Sequence, residues 1–141
     1  MEDIPIEPIE LLKEAVQAAW DSKAENIVVI DLTGRVAYAD HIVLCSGSHP
    51  RHVAAIALRL VKAVRDAGGP RPLGIEGLAN GRWALVDFGD FIVHVFDQSQ
   101  RSYYDLDGLW ADGRRLSAAE LGINTQIPLG TVDAQPFSSE A

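Results

Sequence analysis

Residues Gly81–Phe96 read GRWALVDFGDFIVHVF, two apolar-rich runs on either side of the pair Gly89-Asp90. A Gly-Asp pair between such runs is the signature of a two-residue β-hairpin. With the turn placed there, Phe88 faces Phe91, Val86 faces Val93 and Ala84 faces Val95. That face is wholly apolar and belongs in a core. Side chains alternate along a strand, so the other face carries Trp83, Leu85, Asp87, Ile92, His94 and Phe96. Large apolar groups stand there beside a carboxylate and an imidazole. Such a face is either core beneath a helix or a contact surface for a partner, and the pattern alone leaves both open.

Working outward, the segment from Pro8 to Lys23 carries Ile9, Leu12, Val16 and Trp20 at helical spacing, with Pro8 suited to a first helical turn. Asn26–Leu32 contains the unbroken run Ile27-Val28-Val29-Ile30, which reads as a strand buried on both faces. Thr33-Gly34-Arg35 turns the chain into a second strand, about Ala39 to Ser46. Pro50–Ala67 is the clearest helix: Val53, Ile56, Ala57, Leu60, Val61 and Val64 share one face, and Arg51, Arg59, Lys62 and Arg65 the opposite one. That basic stripe reads as a solvated helix face. Gly68-Gly69-Pro70 ends the helix, and Pro72–Glu76 fits one short strand before the hairpin. Tyr104, Leu106, Leu109 and Trp110 suit one or two short helical turns across the sheet. From Ser117 to Ala141 there is no Lys or Arg and turn formers are frequent, so residues 117–141 read as a mobile tail on a domain of residues 1–116. The order of elements predicts an α/β domain with a five-stranded, mostly mixed sheet flanked by helices.

The chain has 141 residues, enough for one domain with a real core. Its formal net charge is -8 and its pI about 4.8. An overall field of that sign disfavours nucleic acid and favours a basic protein surface, although a local basic patch escapes the restriction. One cysteine, Cys45, excludes an internal disulfide. No run is long enough for a membrane helix, and the acidic N-terminus resembles no signal or transit peptide. The cytoplasm is the expected compartment, and no membrane partner is expected.

Catalytic signals are sparse. Cys45 lies in an apolar strand, as a structural thiol does. His49 and His52 lack a third ligand in their neighbourhood, so no metal is expected. Gly47-Ser48 before a helix N-terminus has the form of a phosphate cradle, with Arg51 close by, and equally that of a plain strand-to-helix turn. Asp87 and Asp90 flank the hairpin turn, but at a spacing of three the strand alternation aims them apart. A diagonal His94–Asp87 pair is expected on the mixed face.

The segments Ala24–Leu32, Ala39-Asp40, Cys45–Ser48, Pro72–Gly77, Gly81-Arg82-Trp83, Asp87–Asp90, Val93–Phe96 and Tyr104–Trp110 together resemble the ribosomal silencing factor family, also called Iojap-related or RsfS. The likeness runs from about Leu11 to Trp110, and the tail after Arg115 lies outside it. His41 stands where an aromatic is common, and Asp107-Gly108 replaces a more helix-friendly pair. The resemblance implies a nucleotidyltransferase-like fold without an active site, and a non-enzymatic protein with no cofactor and no catalytic residue. It implies binding to the large ribosomal subunit through ribosomal protein L-fourteen, which blocks subunit association and represses translation when nutrients are scarce. With the acidic composition, no direct sequence-specific nucleic-acid partner is expected, and a homodimer stays open. The second functional reading, a nucleotide-binding or nucleotidyl-transferring enzyme using Gly47-Ser48 with Asp87 and Asp90, comes from this family resemblance of fold and not from the spacing of the two acids. The resemblance places a binding residue at Trp83, and the hairpin pattern adds Leu85 and Phe96. Tyr103, Tyr104 and Leu106 are expected nearby.

Overall fold

The computed structural model describes residues 7–36, 38–100 and 113–125. Helix α1 (Pro8–Asp21) starts with Pro8 in its first turn and buries Leu11, Leu12, Ala15, Val16, Ala19 and Trp20. It stops two residues before the expected Lys23 because Lys23 takes a left-handed φ of 66°. The Ala24 N–H then closes onto the Ala19 carbonyl at 3.0 Å. Strand β1 (Glu25–Asp31) pairs antiparallel with β2 (His41–Gly47). Helix α2 (Pro50–Asp66) buries Val53, Ile56, Ala57, Leu60 and Val64. Strands β3 (Gly74–Glu76), β4 (Trp83–Asp87) and β5 (Phe91–Asp97) follow, and β5 runs parallel to β2.

The hairpin has the expected register: Val86 pairs with Val93 and Ala84 with Val95. Its turn is built from backbone and side chain together. The Phe88 N–H donates to the Phe91 carbonyl at 3.0 Å, Gly89 has a φ of 91°, and the Asp87 carboxylate accepts the Gly89 N–H at 2.8 Å. A side chain at a positive φ of that kind would be strained, so Gly89 fits the turn. Phe88 and Phe91 stack with centroids 4.8 Å apart.

The sheet has six strands, in the order β3-β4-β5-β2-β1-β6, one more than expected. Strand β6 (Arg114–Leu116) pairs antiparallel with β1, placing Leu116 opposite Val29. Its three residues include two arginines, so it has no apolar period to betray it. It forms because the outer edge of β1 offers unpaired backbone groups, and because Gly113 lets the chain approach. A Cβ there would lie 2.2 Å from the Ile30 side chain.

Helix α2 packs on the apolar face of the hairpin, and α1 packs on the same side of the sheet against α2 and β1. Their buried side chains form one cluster with Val29, Val43, Cys45, Ala84, Val86, Val93 and Val95. A second, smaller cluster lies on the other face: Val28, Ile30, Leu32, Ala39, Ile42, Leu44 and Phe96, with Val36, Trp83 and Ile92 against it. Among the described residues it receives no side chain from any helix. The β1–β2 loop contributes Val36 and Ala39, and the Asp40 N–H ties that loop to the Asp90 carbonyl at 2.8 Å.

The expected appendage from Ser117 requires correction over its first residues. Ser117 caps α3 (Ala118–Leu121) through a reciprocal capping box with Glu120. Leu121 and Ile123 join the main core. The Asn124 N–H donates to the Gln17 side chain at 2.7 Å, and the Gln17 amide donates back to the Asn124 carbonyl at 3.0 Å. Only residues 126–141 of the expected tail lie outside the described part. A chain ending at Leu116 loses two buried aliphatic side chains and a cap, about 3 kcal/mol or more. It should melt about 10 °C below the full chain, whereas a chain ending at Thr125 should melt within about 2 °C of it. Scanning calorimetry of the two truncations distinguishes a packed segment from an appendage.

Candidate functional site: the outer face of the hairpin

Strand alternation puts Trp83, Leu85 and Asp87 of β4 on the outer face, all half-buried, together with half-buried Ile92 of β5. Register sets Trp83 opposite Phe96 and Leu85 opposite His94. The indole ring stacks on Phe96 with centroids 5.3 Å apart, and its Nε1–H donates to His94 Nδ1 at 3.0 Å. His94 and Phe96 in turn stack nearly parallel, at 8°. A large aromatic side chain half open to solvent is thus held in one orientation by a hydrogen bond at its edge and a ring beneath it.

His94 is 6% exposed. Because Nδ1 accepts the indole proton, the imidazole is assigned as the neutral tautomer with its proton on Nε2. Burial agrees with that state, lowering the His94 pKa to about 4. The expected His94–Asp87 pair does not form. Asp87 does lie diagonal to His94, opposite Ile92, but its carboxylate is turned into the hairpin to accept the Gly89 N–H. Sequence reading thus placed His94 on the right face and gave it the wrong partner. The useful signal was its position diagonal to Trp83, a donor with a single N–H.

Of the six expected contact residues, Trp83 and Leu85 share this open face. Phe96 is 0% exposed, so its expected role as a direct contact is corrected to that of a support under Trp83. A ring in the sheet centre beneath a Trp leaves no surface for a partner. Tyr103, Tyr104 and Leu106 lie outside the described residues. Acidic groups surround the open patch: Asp40 and Asp90 are exposed, and Asp87 and Asp97 half-buried.

The phosphate-cradle reading fails on geometry. The Ser48 N–H donates to His52 Nδ1 at 2.9 Å, the His52 N–H to His49 Nδ1 at 3.2 Å, and the Val53 N–H to the His49 carbonyl at 3.0 Å. His52 Nε2 completes the set by donating to the Ser22 carbonyl at 2.8 Å. The chain's own groups thus occupy the donors that a phosphate would use, and both histidines are committed to capping α2 and tying it to the end of α1. Gly47 is pressed against Val53, where a Cβ would lie 2.8 Å from the backbone nitrogen. Asp90 stays on the exposed turn while Asp87 faces its own loop. Cys45 is buried in the main core. Among the described residues no group of three His, Cys, Asp or Glu gathers as metal ligands would.

The low pKa of His94 couples stability to pH. The unfolded chain binds this proton near pH 6.5 and the folded chain only near pH 4, so the unfolded state holds more protons between those values. Stability from this group is full above about pH 6.5 and is lost as pH falls toward 4, by roughly 2 to 3 kcal/mol at pH 4.5. Denaturant titrations at pH 7 and 4.5 should show that loss in the native chain. They should show it reduced by the same amount in His94→Phe, and an equal pH response in the variant contradicts the assignment.

The sequence and the fold have counterparts among known proteins. A family model described as "Ribosomal silencing factor during starvation" matches residues 5–138, which extends the likeness through the segment after Arg115. The chain is 40% identical over 114 residues to the Bacillus subtilis ribosomal silencing factor RsfS, covering 81% of this chain and 95% of that one. It is 41% identical to the Halalkalibacterium halodurans protein of the same name, over 73% of this chain and 87% of its relative. A crystal structure of a Chromobacterium violaceum protein superposes with a TM-score of 0.72 at 33% identity, covering 79% of this chain and 92% of that one. The sequence relatives bear the names of regulators rather than of enzymes, and no helix among the described residues is long and apolar enough to cross a membrane. With the family model spanning nearly the whole chain, the protein belongs to the ribosomal silencing factor (RsfS, Iojap-related) family.

Proposed function

We propose that the outer face of the β4–β5 hairpin docks on ribosomal protein L-fourteen of the large subunit, blocks joining of the small subunit and so represses translation under nutrient limitation. One observation carries this reading: a half-open Trp83, fixed by His94 and Phe96, on a sheet face that neither α1 nor α2 covers. Oriented Trp side chains are favoured interface anchors, because they bury a large area with little rotamer freedom to lose. The acidic residues around the patch match a basic protein surface, which speeds encounter and makes it salt-sensitive. Blocking of this kind is steric. It requires only occupancy of the surface where the small subunit would sit, which agrees with the committed histidines, the filled cradle and the divergent carboxylates. The same half-apolar face is where a second copy of the chain would pack, so self-association and subunit binding would compete.

Added in molar excess to purified subunits, the protein should lower the yield of joined ribosomes on a sucrose gradient. An unchanged yield contradicts the proposal. Trp83→Ala should bind large subunits about thirtyfold more weakly, equivalent to about 2 kcal/mol, while remaining folded. Cosedimentation measures the first and circular dichroism the second. A folded variant that binds normally removes this face from the interface, and an unfolded one makes Trp83 a core residue.

A further inference from the structure

The charge of this chain is segregated. Residues 50–82 hold six of its twelve Lys and Arg and two of its twenty Asp and Glu, a net +4; the remainder, six cations against eighteen carboxylates, stands at -12. Structure gathers those cations around one helix. Arg51, Arg59, Lys62 and Arg65 are all exposed on α2, whose buried side is the apolar row from Val53 to Val64. Exposed Arg82 follows Gly81, where a Cβ would lie 2.5 Å from the Pro50 side chain at the start of α2. Exposed Arg71 follows the Gly68-Gly69-Pro70 turn at its end. Arg51 to Arg65 alone spans about 21 Å at the helical rise.

Helix stability does not explain this arrangement. An N-terminal turn favours acidic residues, and here it has none and carries Arg51 instead. Solvated helices commonly alternate signs at a spacing of four, yet Lys62–Asp66 is the single ion pair of α2 among the described residues. Arg51, Arg59, Arg71 and Arg82 have no side-chain partner there, and the Arg65 side chain makes no hydrogen bond or ion pair beyond the field of its neighbour Asp66. Five of the six cations are arginine, whose planar fork matches phosphate oxygens. Leu58, within the stripe, is the one large hydrophobic that α2 exposes, and a single leucine is too little apolar area for the centre of a protein interface or for a membrane-bound helix.

We propose that the α2 stripe, from Arg82 through Arg51, Arg59, Lys62 and Arg65 to Arg71, is a second docking surface that binds the phosphate backbone of RNA without reading its sequence. It lies across the sheet from Trp83, so it extends the proposed ribosomal docking, on which its biological setting rests, to a second contact. Binding of this type runs on counterion release and falls steeply with salt.

The test uses the full chain and a fluorescently labelled RNA duplex of about 16 base pairs, a length that offers two minor grooves and the phosphates between them. Anisotropy should show binding at about 50 mM salt, and the triple variant Arg51→Ala, Arg59→Ala, Arg65→Ala should bind at least about tenfold more weakly. Its plot of log affinity against log salt should be flatter by about 2 to 3, one unit or slightly less per lost phosphate contact. The corresponding triple Lys variant, which keeps the charges but not the fork, should keep the native salt slope and fall between the native chain and the alanine variant in affinity. Absence of duplex binding, equal binding by the alanine variant, or displacement by poly-glutamate as effective as by unlabelled duplex overturns the proposal, the last in favour of an acidic protein partner. The two docking readings fail separately. Trp83→Ala should leave duplex binding unchanged, so normal subunit binding by that variant sinks the Trp83 face alone.

Discussion

The register of the β4–β5 hairpin is the constraint on which the rest of this structure depends. Side chains repeat every two residues, so a slip of one residue would carry Ala84, Val86, Val93 and Val95 away from the helices and push Trp83, Asp87 and His94 into them. The slip is opposed from both ends. At the turn, Gly89 adopts a φ that favours glycine while Asp87 and Phe91 bind the neighbouring N–H groups. At the open end, the Asp97 N–H donates to the Arg82 carbonyl at 2.9 Å. With the register held, α1 and α2 have one apolar surface to bury, and the Trp83–His94–Phe96 assembly stands on the opposite surface.

That assembly joins packing to function. Phe96 is part of the smaller core cluster and His94 is nearly buried, so the two rings beneath Trp83 belong to the sheet itself. The indole inherits their rigidity. A neutral imidazole is the acceptor that an indole N–H requires, and burial keeps it neutral at physiological pH. The side chain is therefore oriented before any partner arrives, which reduces the ordering cost of association.

Much of this was legible in the sequence, and the exceptions have physical causes. The hairpin could be read because its alternation and its Gly-Asp turn agree; α2 could be read because its two faces differ so sharply. Strand β6 and the packing of Leu121 and Ile123 could not. Three residues with two arginines have no period, and their partner, the edge of β1, is distant in sequence. The composition of residues 117–141 is that of a tail, but two aliphatic side chains and a capping box suffice to fasten its beginning to α1. Phe96 was placed on the correct face, yet the pattern of one strand does not reveal the depth of a residue in a sheet. Its neighbour β2 supplies Ser46 beside it and buries it. The Gly47-Ser48 loop is open to two readings in the sequence, since a phosphate cradle and a self-capped helix start share one pattern. Two histidine rings decide between them.

Docking of the outer hairpin face on the large subunit is the central claim, and a photo-crosslinking amino acid at position 85 tests it most directly. Leu85 lies on the open face next to Trp83, half-exposed and with no role in the turn. The account predicts that illumination with purified large subunits links position 85 to ribosomal protein L-fourteen, while the same group at exposed Glu14 on α1 gives no such product. Crosslinking to that protein from position 14 and not from position 85 would contradict it.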